Sequence, residues 1–373
     1  MQFGSVCSGI ESASVALNPL GMHAAWLAEI DEFPSAVLAH HYPDTPNIGD
    51  MAVLPDLIRS GFVTAPEMLC GGTPCQAFSM AGNRQSLDDD RGNLSLIFCE
   101  VANAIDDVRR ARGEKPSIIL WENVPGVLST HDNAFGHFLA GLAGESEALV
   151  SPRNKWANAG LVIGPVRSIA WRILDAQYFG LAQRRKRVFL VSSARDDIDI
   201  GQILFEFGSV QKHHRPIREI RKADSETSQR STDGQSSAGM TYSISGNGVH
   251  TGKLGNAPGY EEELSPAITL KHHPSIGTIW QKIGFDPMRV QTDDIAPALT
   301  SHISTGGGNV PMVDIRRLTP RECERLQGFP DDYTLIPFKG KMASDAPRYK
   351  ALGNSWPVPV VQWIGKRIME ILK

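Results

Sequence analysis

Residues 5–17 read SVCSGIESASVAL. A short apolar run, a turn of small residues and a helix-forming stretch follow one another, and that order turns backbone N–H groups toward whatever sits above the turn. Alone the pattern is weak: Gly9 is its only glycine, and a plain tight turn would look the same. The rest of the first half decides how to take it. The first strand, FGSVCS (3–8), is followed by AAWLAE (24–29), EMLCG (67–71), SIILWEN (117–123) and RVFLVSS (187–193), and each ends in small or polar residues. Helical candidates lie between them, such as RGNLSLIFCEVANAIDDVRRAR (91–112), with apolar residues near a 3.6-residue period. This alternation predicts an α/β fold with a mostly parallel sheet covered by helices. Such sheets bind ligands at the carboxyl ends of their strands. Here those ends carry Cys7, Glu29, Cys70 to Cys75, and Glu122.

The chain has 373 residues and a formal net charge of −4, enough for two domains and unlike a histone-like basic protein. Net charge does not speak against a local basic cleft. The start, MQFGSVCSGI, lacks the basic beginning and apolar run of a secretory signal. No apolar run reaches the ~18 residues of a membrane span, so a cytoplasmic protein with no membrane partner is expected. Five irregularly spaced cysteines suit a reducing compartment and offer neither a disulfide framework nor metal-ligand spacing.

Three rim segments point to chemistry. Glu29 stands about twenty residues beyond the first turn, where Rossmann-type sheets hold a ribose through a carboxylate, and NIGD places Asp50 on the next rim loop. In LCGGTPCQAFS (69–79), Thr73 is pushed toward extended geometry by Pro74, and Gly71 and Gly72 allow close backbone approach. Cys75 is therefore held in one place. A free cysteine is often a small buried hydrophobe, and Cys7, Cys99 and Cys323 suit that role; the stiff surroundings of Cys75 favour a nucleophile. In LWENVPGVL (120–128), Glu122 ends an apolar strand, where burial would favour a protonated carboxyl able to donate. In AQRRKRVFLV (182–191), strand alternation sends Arg185 and Arg187 to one side and Arg184 and Lys186 to the other.

Beyond Ser193 the composition changes. Residues 208–256 are rich in Ser, Thr, Gly and Gln, QKHHRPIREIRK (211–222) is basic, and LSPAITLKHH (264–273) is echoed by IAPALTSHI (295–303) before STGGGNVPMV (304–313). Order returns at LTPRECERLQGFP (318–330), where Thr319 can cap a helix opened by Pro320. The expected organisation is a first domain over 1–200, a loop-rich module with short strands over 201–336, and a segment 337–373 returning to the first domain. Its final amphipathic helix needs an apolar surface, and the sheet is the expected one.

Taken together, these segments resemble the DNA cytosine-5 methyltransferases of bacterial and phage type, which depend on S-adenosylmethionine. GGTPCQAFS looks like the family's Pro-Cys-Gln loop and ENV (122–124) like its Glu-Asn-Val. Gln183, Arg185 and Arg187 match Gln-x-Arg-x-Arg, while DDRGNL (89–94), RRLTPRECERLQGFP (316–330) and YKALGNSWPVPV (349–360) resemble three further motifs. The likeness runs in the family's order through nearly the whole chain, excepting much of 201–310. It implies a Rossmann-like S-adenosylmethionine-dependent methyltransferase sheet with a smaller target-recognition domain. The implied cofactor site holds Gly9, Ile10, Glu29, Ile30, Asp50 and Asn354, lined by Pro74 and Leu94, with Cys7, Glu11, Met51 and Ser355 beside them. One departure stands out. Where the family commonly shows Phe-x-Gly-x-Gly-Gly, this chain has CSGIES, so Cys7 replaces an aromatic and Glu11 and Ser12 replace glycines.

The resemblance also implies a mechanism. Cys75 adds to C6 of a cytosine swung out of duplex DNA, Glu122 protonates N3, and Arg185 holds O2, with Arg187 in the same catalytic set. Gln76, Ser79 and Arg84 belong to the loop expected to close over the base, and Gln183, Arg184 and Lys186 are DNA-contact candidates. The partner implied is duplex DNA, met by a monomer at the nucleoid, within or outside a restriction–modification pair. Two rivals share the architecture: a transfer-RNA cytosine-5 methyltransferase and a catalytically inactive DNA-binding relative. A dehydrogenase is disfavoured by the missing glycine fingerprint.

Overall fold

The computed structural model describes residues 1–73, 94–151, 155–206 and 318–373, together with the backbone of Thr241–Ser245, Pro274–Thr278, Gln291–Thr292 and Arg316–Arg317. The chain order is β1 (Gln2–Val6), α1 (Ser12–Leu17), β2 (His23–Ala28), α2 (Glu32–His41), α3 (Leu54–Arg59), β3 (Met68–Gly71), α4 (Leu94–Ala111), β4 (Ile118–Asn123), α5 (Ala134–Ala143), β5 (Ala159–Ile163), β6 (Ser168–Asp175) and β7 (Lys186–Ser193). These seven strands form one sheet in the order β2-β1-β3-β4-β7-β6-β5. β2, β1, β3 and β4 pair in parallel, whereas β7 runs antiparallel to β4 and β5 antiparallel to β6. All five strands expected from the sequence are present. β5 and β6, at the sheet edge, were not among them.

Burial explains the order. Every residue of β4 is buried, as befits a central strand covered on both faces. Beneath it Trp121 lies 4.5 Å from Phe138 and 6.2 Å from Phe135, ring centre to ring centre, and Phe135 meets Trp156 and Trp171 edge-on. A buried ion pair ties α4 to the chain entering β6: Asp106 accepts from the Arg167 Nη2 at 2.8 Å and from the Ser117 backbone N–H at 2.7 Å. On the other wing the Trp26 ring lies over Gly4, and its indole N–H donates to the Thr64 carbonyl at 2.9 Å.

Two compact units divide the chain. The first comprises Met1–Leu174, Lys186–Ser209 and Val361–Lys373; the second comprises Asp175–Arg185 and Val210–Val360. In the first unit, the final helix (Val358–Ile371) brings Gly365 against Leu17, Leu20 and Met22. At this point its apolar surface is met by α1 and the turn after it.

The second unit holds a four-stranded antiparallel sheet, with Thr241–Ser245 and Pro274–Thr278 at its centre and Gln291–Thr292 and Arg316–Arg317 at its edges. The helix Pro320–Gln327 opens on a capping box between Thr319 and Glu322, as the Thr-Pro signal predicts, and Gly328 ends it in the left-handed conformation. Buried Glu324 then gathers the Thr334 backbone N–H at 2.8 Å and the Arg348 guanidinium at 3.1 Å. The basic run 211–222, the two echoing phrases and the glycine-rich 304–313 lie outside the described residues. No described helix is long and apolar enough to cross a membrane, and no described His, Cys, Asp and Glu cluster could hold a metal ion.

A Cβ added at Gly4 would stand 2.1 Å from the Trp26 ring. Gly4→Ala should therefore lower stability by about 1–3 kcal/mol through overpacking, read from urea unfolding followed by tryptophan fluorescence. An unchanged midpoint would contradict this packing.

Candidate active site

The first cluster stands at the carboxyl ends of β1 and β2. After Val6 the chain turns through Cys7, Gly9 and Glu11, all with positive φ, before α1 begins. Ser8 stitches the turn to β2: its hydroxyl donates to the Ser5 carbonyl at 2.9 Å and accepts from the Ala28 N–H at 3.2 Å. The Glu29 carboxylate accepts from the Gly9 N–H and the Asp31 N–H, each at 2.7 Å. Asp50 caps the turn Met51–Val53 by accepting from the Ala52 N–H at 2.9 Å.

This rim presents a specific donor and acceptor set. The space above Gly9 is open, Ile30 is 75% exposed, and the Asp50 carboxylate faces solvent. A carboxylate for ribose hydroxyls, an apolar side chain for a ring and a second acid suit the nucleoside part of S-adenosylmethionine. Burial pushes Glu29 above the ordinary carboxylate range, and the Asp31 charge adds to the effect.

Other residues assigned to the rim serve it differently. The side chains of Ile10 and Met51 are buried, and the half-buried Cys7 thiol approaches the Met51 sulfur at 3.7 Å. Burial first, then the charges of Glu29 and Asp50, push that thiol up to about 12. Glu11 is a correction. Expected as a cofactor contact, it is 0% exposed, and its carboxylate accepts from the Ser5 hydroxyl at 2.9 Å and from the Ser14 N–H and hydroxyl at 2.9 and 3.0 Å. A side chain without surface cannot touch a ligand; Glu11 caps α1 and ties it to β1.

The second cluster stands at the ends of β3, β4 and β7. Glu122 and Arg187 form a buried ion pair, Nε to Oε1 2.9 Å, with side-chain exposures of 9% and 7%. Burial lowers the Arg187 pKa, and the Glu122 charge opposes that shift. Next to the pair, Thr73 is clasped from three directions. Its carbonyl accepts from the Asn123 side chain at 3.0 Å, and its hydroxyl accepts from the Trp121 indole N–H at 3.1 Å and lies 3.0 Å from the Ser95 hydroxyl. Pro74, Cys75, Gln76, Ser79 and Arg84 follow Thr73 but lie outside the described residues. Leu94 opens α4 and packs partly buried against the core.

The alternation expected across residues 184–187 is present: Arg185 and Arg187 are buried, Lys186 is exposed and Arg184 half-buried. Arg185 belongs to the second unit. Within the second unit its guanidinium donates to the carbonyls of Gly353 at 3.1 Å and Ser355 at 2.6 Å. Gln183 there donates to the Leu326 carbonyl at 3.4 Å, exposed Asn354 ends the helix Asp345–Asn354, and Ser355 caps it. The guanidinium beside Glu122 is thus that of Arg187. The sequence had also left Ser8, Thr73, Ser95 and Asn123 without a site role, because nothing in short polar residues announces which hydroxyl or amide will meet which partner.

Comparison with known proteins places the chain in a family. Residues 1–370 match the family of C-5 cytosine-specific DNA methylases, and the chain belongs to it. That family consists of S-adenosylmethionine-dependent enzymes. The chain is 39% identical to a protein of Escherichia phage P1 named DNA N-6-adenine-methyltransferase, over 99% of its own length and 61% of that relative's. It therefore spans less than two thirds of the phage protein. It is 28% identical to the type II methyltransferase M.HpaII of Haemophilus parainfluenzae, over 99% of this chain and 89% of the relative. Among solved structures, the S. pombe Dnmt2 methyltransferase shares the fold with a TM-score of 0.56 at 15% identity, covering 100% of this chain and 99% of that one.

Glu11 makes stability depend on pH. Burial raises its pKa from 4.5 to about 7 against the Ser5 and Ser14 hydrogen bonds, with a further push from Glu29. A carboxyl whose folded pKa exceeds its unfolded one is tolerated best when protonated. Its contribution is fully present below the unfolded value and is lost as pH rises through the folded one. Stability should therefore decline between about pH 4.5 and about pH 7, and Glu11→Gln should flatten that slope in urea unfolding across the range. A slope unchanged by the substitution would show that other groups cause it.

Proposed function

We propose that this protein transfers a methyl group from S-adenosylmethionine to C5 of a cytosine flipped out of a specific duplex DNA sequence, through a covalent Cys75–C6 adduct. The observation that carries this reading is the buried Glu122–Arg187 pair at 2.9 Å, set beside the Thr73 clasp from which the chain runs into Pro74 and Cys75. The family membership supplies the reaction class.

The chemistry follows from the weakness of C5 as a nucleophile. S-adenosylmethionine, when bound, supplies an electrophilic sulfonium methyl group. Gly9, Glu29, Ile30 and Asp50 would hold and orient it at the rim beside β1 and β2. The Cys75 thiolate forms a bond to C6 and pushes electron density onto C5. Glu122, which takes up a proton before the base is attacked, delivers it to N3 as that charge develops, and Arg187 donates to O2. This reading gives the exocyclic O2 to Arg187, because its guanidinium stands beside Glu122. As the C5–methyl bond forms, the methyl–sulfur bond breaks. A base, water included, then takes the C5 proton, the S–C6 bond breaks to free Cys75, and the N3 proton returns to Glu122. Flipping the base costs roughly a few kcal/mol, offset by contacts in the pocket and along the backbone. Exposed Lys186 is a candidate for phosphate contact, which would make binding salt-dependent.

A second reading has one specific support, the name of the phage P1 relative. Transfer to the exocyclic N6 of adenine needs no thiol, because the amine attacks the methyl group itself. Cys75 and the Glu122–Arg187 pair would then have no chemical role.

Nucleoside analysis of DNA methylated by the pure protein separates the two readings. 5-Methyldeoxycytidine is expected; N6-methyldeoxyadenosine alone would overturn the cytosine assignment. Cys75→Ser should abolish transfer while leaving DNA binding largely intact, and Glu122→Gln should slow it by about 10²–10⁴-fold. Full turnover by either variant would remove that residue from the chemistry. Covalent capture on a 5-fluorocytosine duplex tests the adduct itself.

A further inference from the structure

We infer that Asn47 is the positioning residue that joins Glu29 and the Asp50 turn into one preorganised receptor for the nucleoside part of the cofactor; the inference rests on the cofactor reading given above. β2 ends at Ala28, one residue before the carboxylate that has to be held still. Alongside it the chain 46–48 forms a short parallel bridge, with the Leu27 N–H donating to the Pro46 carbonyl at 2.8 Å and the Ile48 N–H to the Leu27 carbonyl at 2.7 Å. The Asn47 side chain continues that ladder where the strand stops. Its Oδ1 accepts from the Glu29 N–H at 3.0 Å, and its Nδ2 donates to the Glu29 carbonyl at 3.1 Å. One primary amide thus does for Glu29 what a neighbouring strand would do.

The same amide reaches outward in two directions. Oδ1 also accepts from the Gly49 N–H at 3.1 Å, which shapes the left-handed turn at Gly49 (φ 81°) leading into Asp50. Nδ2 also donates to the Ser35 hydroxyl of α2 at 3.3 Å, and that hydroxyl donates to the Glu29 carbonyl at 3.1 Å. The backbone of Glu29, the start of α2 and the approach to Asp50 therefore share one side chain. Only a group carrying both donor and acceptor at this reach can do so. Aspartate keeps the acceptors and loses the donors; alanine loses both. The carboxylate of Glu29 is anchored by backbone N–H groups, those of Gly9 and Asp31 among them, so its precision depends on the backbone beneath it.

The test compares Asn47→Ala, Asn47→Asp and Glu29→Ala with the unaltered protein. Calorimetry without DNA gives the affinity for S-adenosylmethionine and S-adenosylhomocysteine, anisotropy gives the affinity for duplex DNA, and thermal melting reports folding. Asn47→Ala should weaken both cofactor affinities about tenfold, the scale of losing two or three such hydrogen bonds. KM for the cofactor should rise with kcat at saturation and DNA affinity within about twofold of the original. Cofactor affinity unchanged in Asn47→Ala would overturn the inference. Should that variant not fold, Asn47→Asp, which keeps the acceptors, decides by the same criterion. Glu29→Ala separates the levels. If it abolishes cofactor binding while Asn47→Ala binds normally, only the role of Asn47 fails. If Glu29→Ala binds cofactor like the original, the rim itself has been misassigned, whatever Asn47→Ala does.

Discussion

The ion pair between Glu122 and Arg187 is the constraint around which the rim at the ends of β3, β4 and β7 is built. Two charges taken out of water cost several kcal/mol each, and only close mutual pairing offsets that cost. The sheet supplies the pairing. β4 and β7 are antiparallel neighbours with Asn123 opposite Val188, so Arg187 lies one residue beyond the register point next to Glu122. Neither residue could be held there alone. Removing one partner would leave the other buried and uncompensated.

The residues flanking Glu122 perform a second task. Side chains alternate along a strand, so Trp121 and Asn123 share one face while Glu122 takes the other. Trp121 and Asn123 both reach Thr73, and Glu122 reaches Arg187. Three consecutive residues of one central strand thus fix both the charged pair and the backbone from which the Pro74–Cys75 segment departs. The aromatic cluster beneath Trp121 gives that strand a rigid floor.

The turn between β1 and α1 shows how an unusual loop sequence is accommodated. A glutamate in the left-handed region, φ 63°, carries a conformational cost on the order of 1–2 kcal/mol. Glu11 offsets it by capping α1 and bonding Ser5 and Ser14, inside the fold instead of at its surface. Gly9, two residues earlier, keeps the open space that a ligand would need. The departure from a glycine-rich loop is therefore absorbed beneath the turn, while the surface above it stays clear.

By itself the sequence determined the strand–helix rhythm, the five strands it named, the rim on which Glu29, Asp50 and Glu122 stand, and the Thr319 cap. These follow from local rules: periodicity, turn chemistry and the tendency of α/β sheets to gather polar residues at strand ends. The tertiary structure alone decided which arginine faces Glu122, that Glu11 turns inward, that Gly365 of the last helix meets Leu17, and that Asn47 braces Glu29. All but the Glu11 contacts, which are made with nearby Ser5 and Ser14, are choices of partner between residues distant in the chain. Local spacing can say which side of a strand a side chain leaves from, but the group it meets is set by how the elements pack, and a guanidinium or a carboxylate will take whichever buried partner the packing brings within reach.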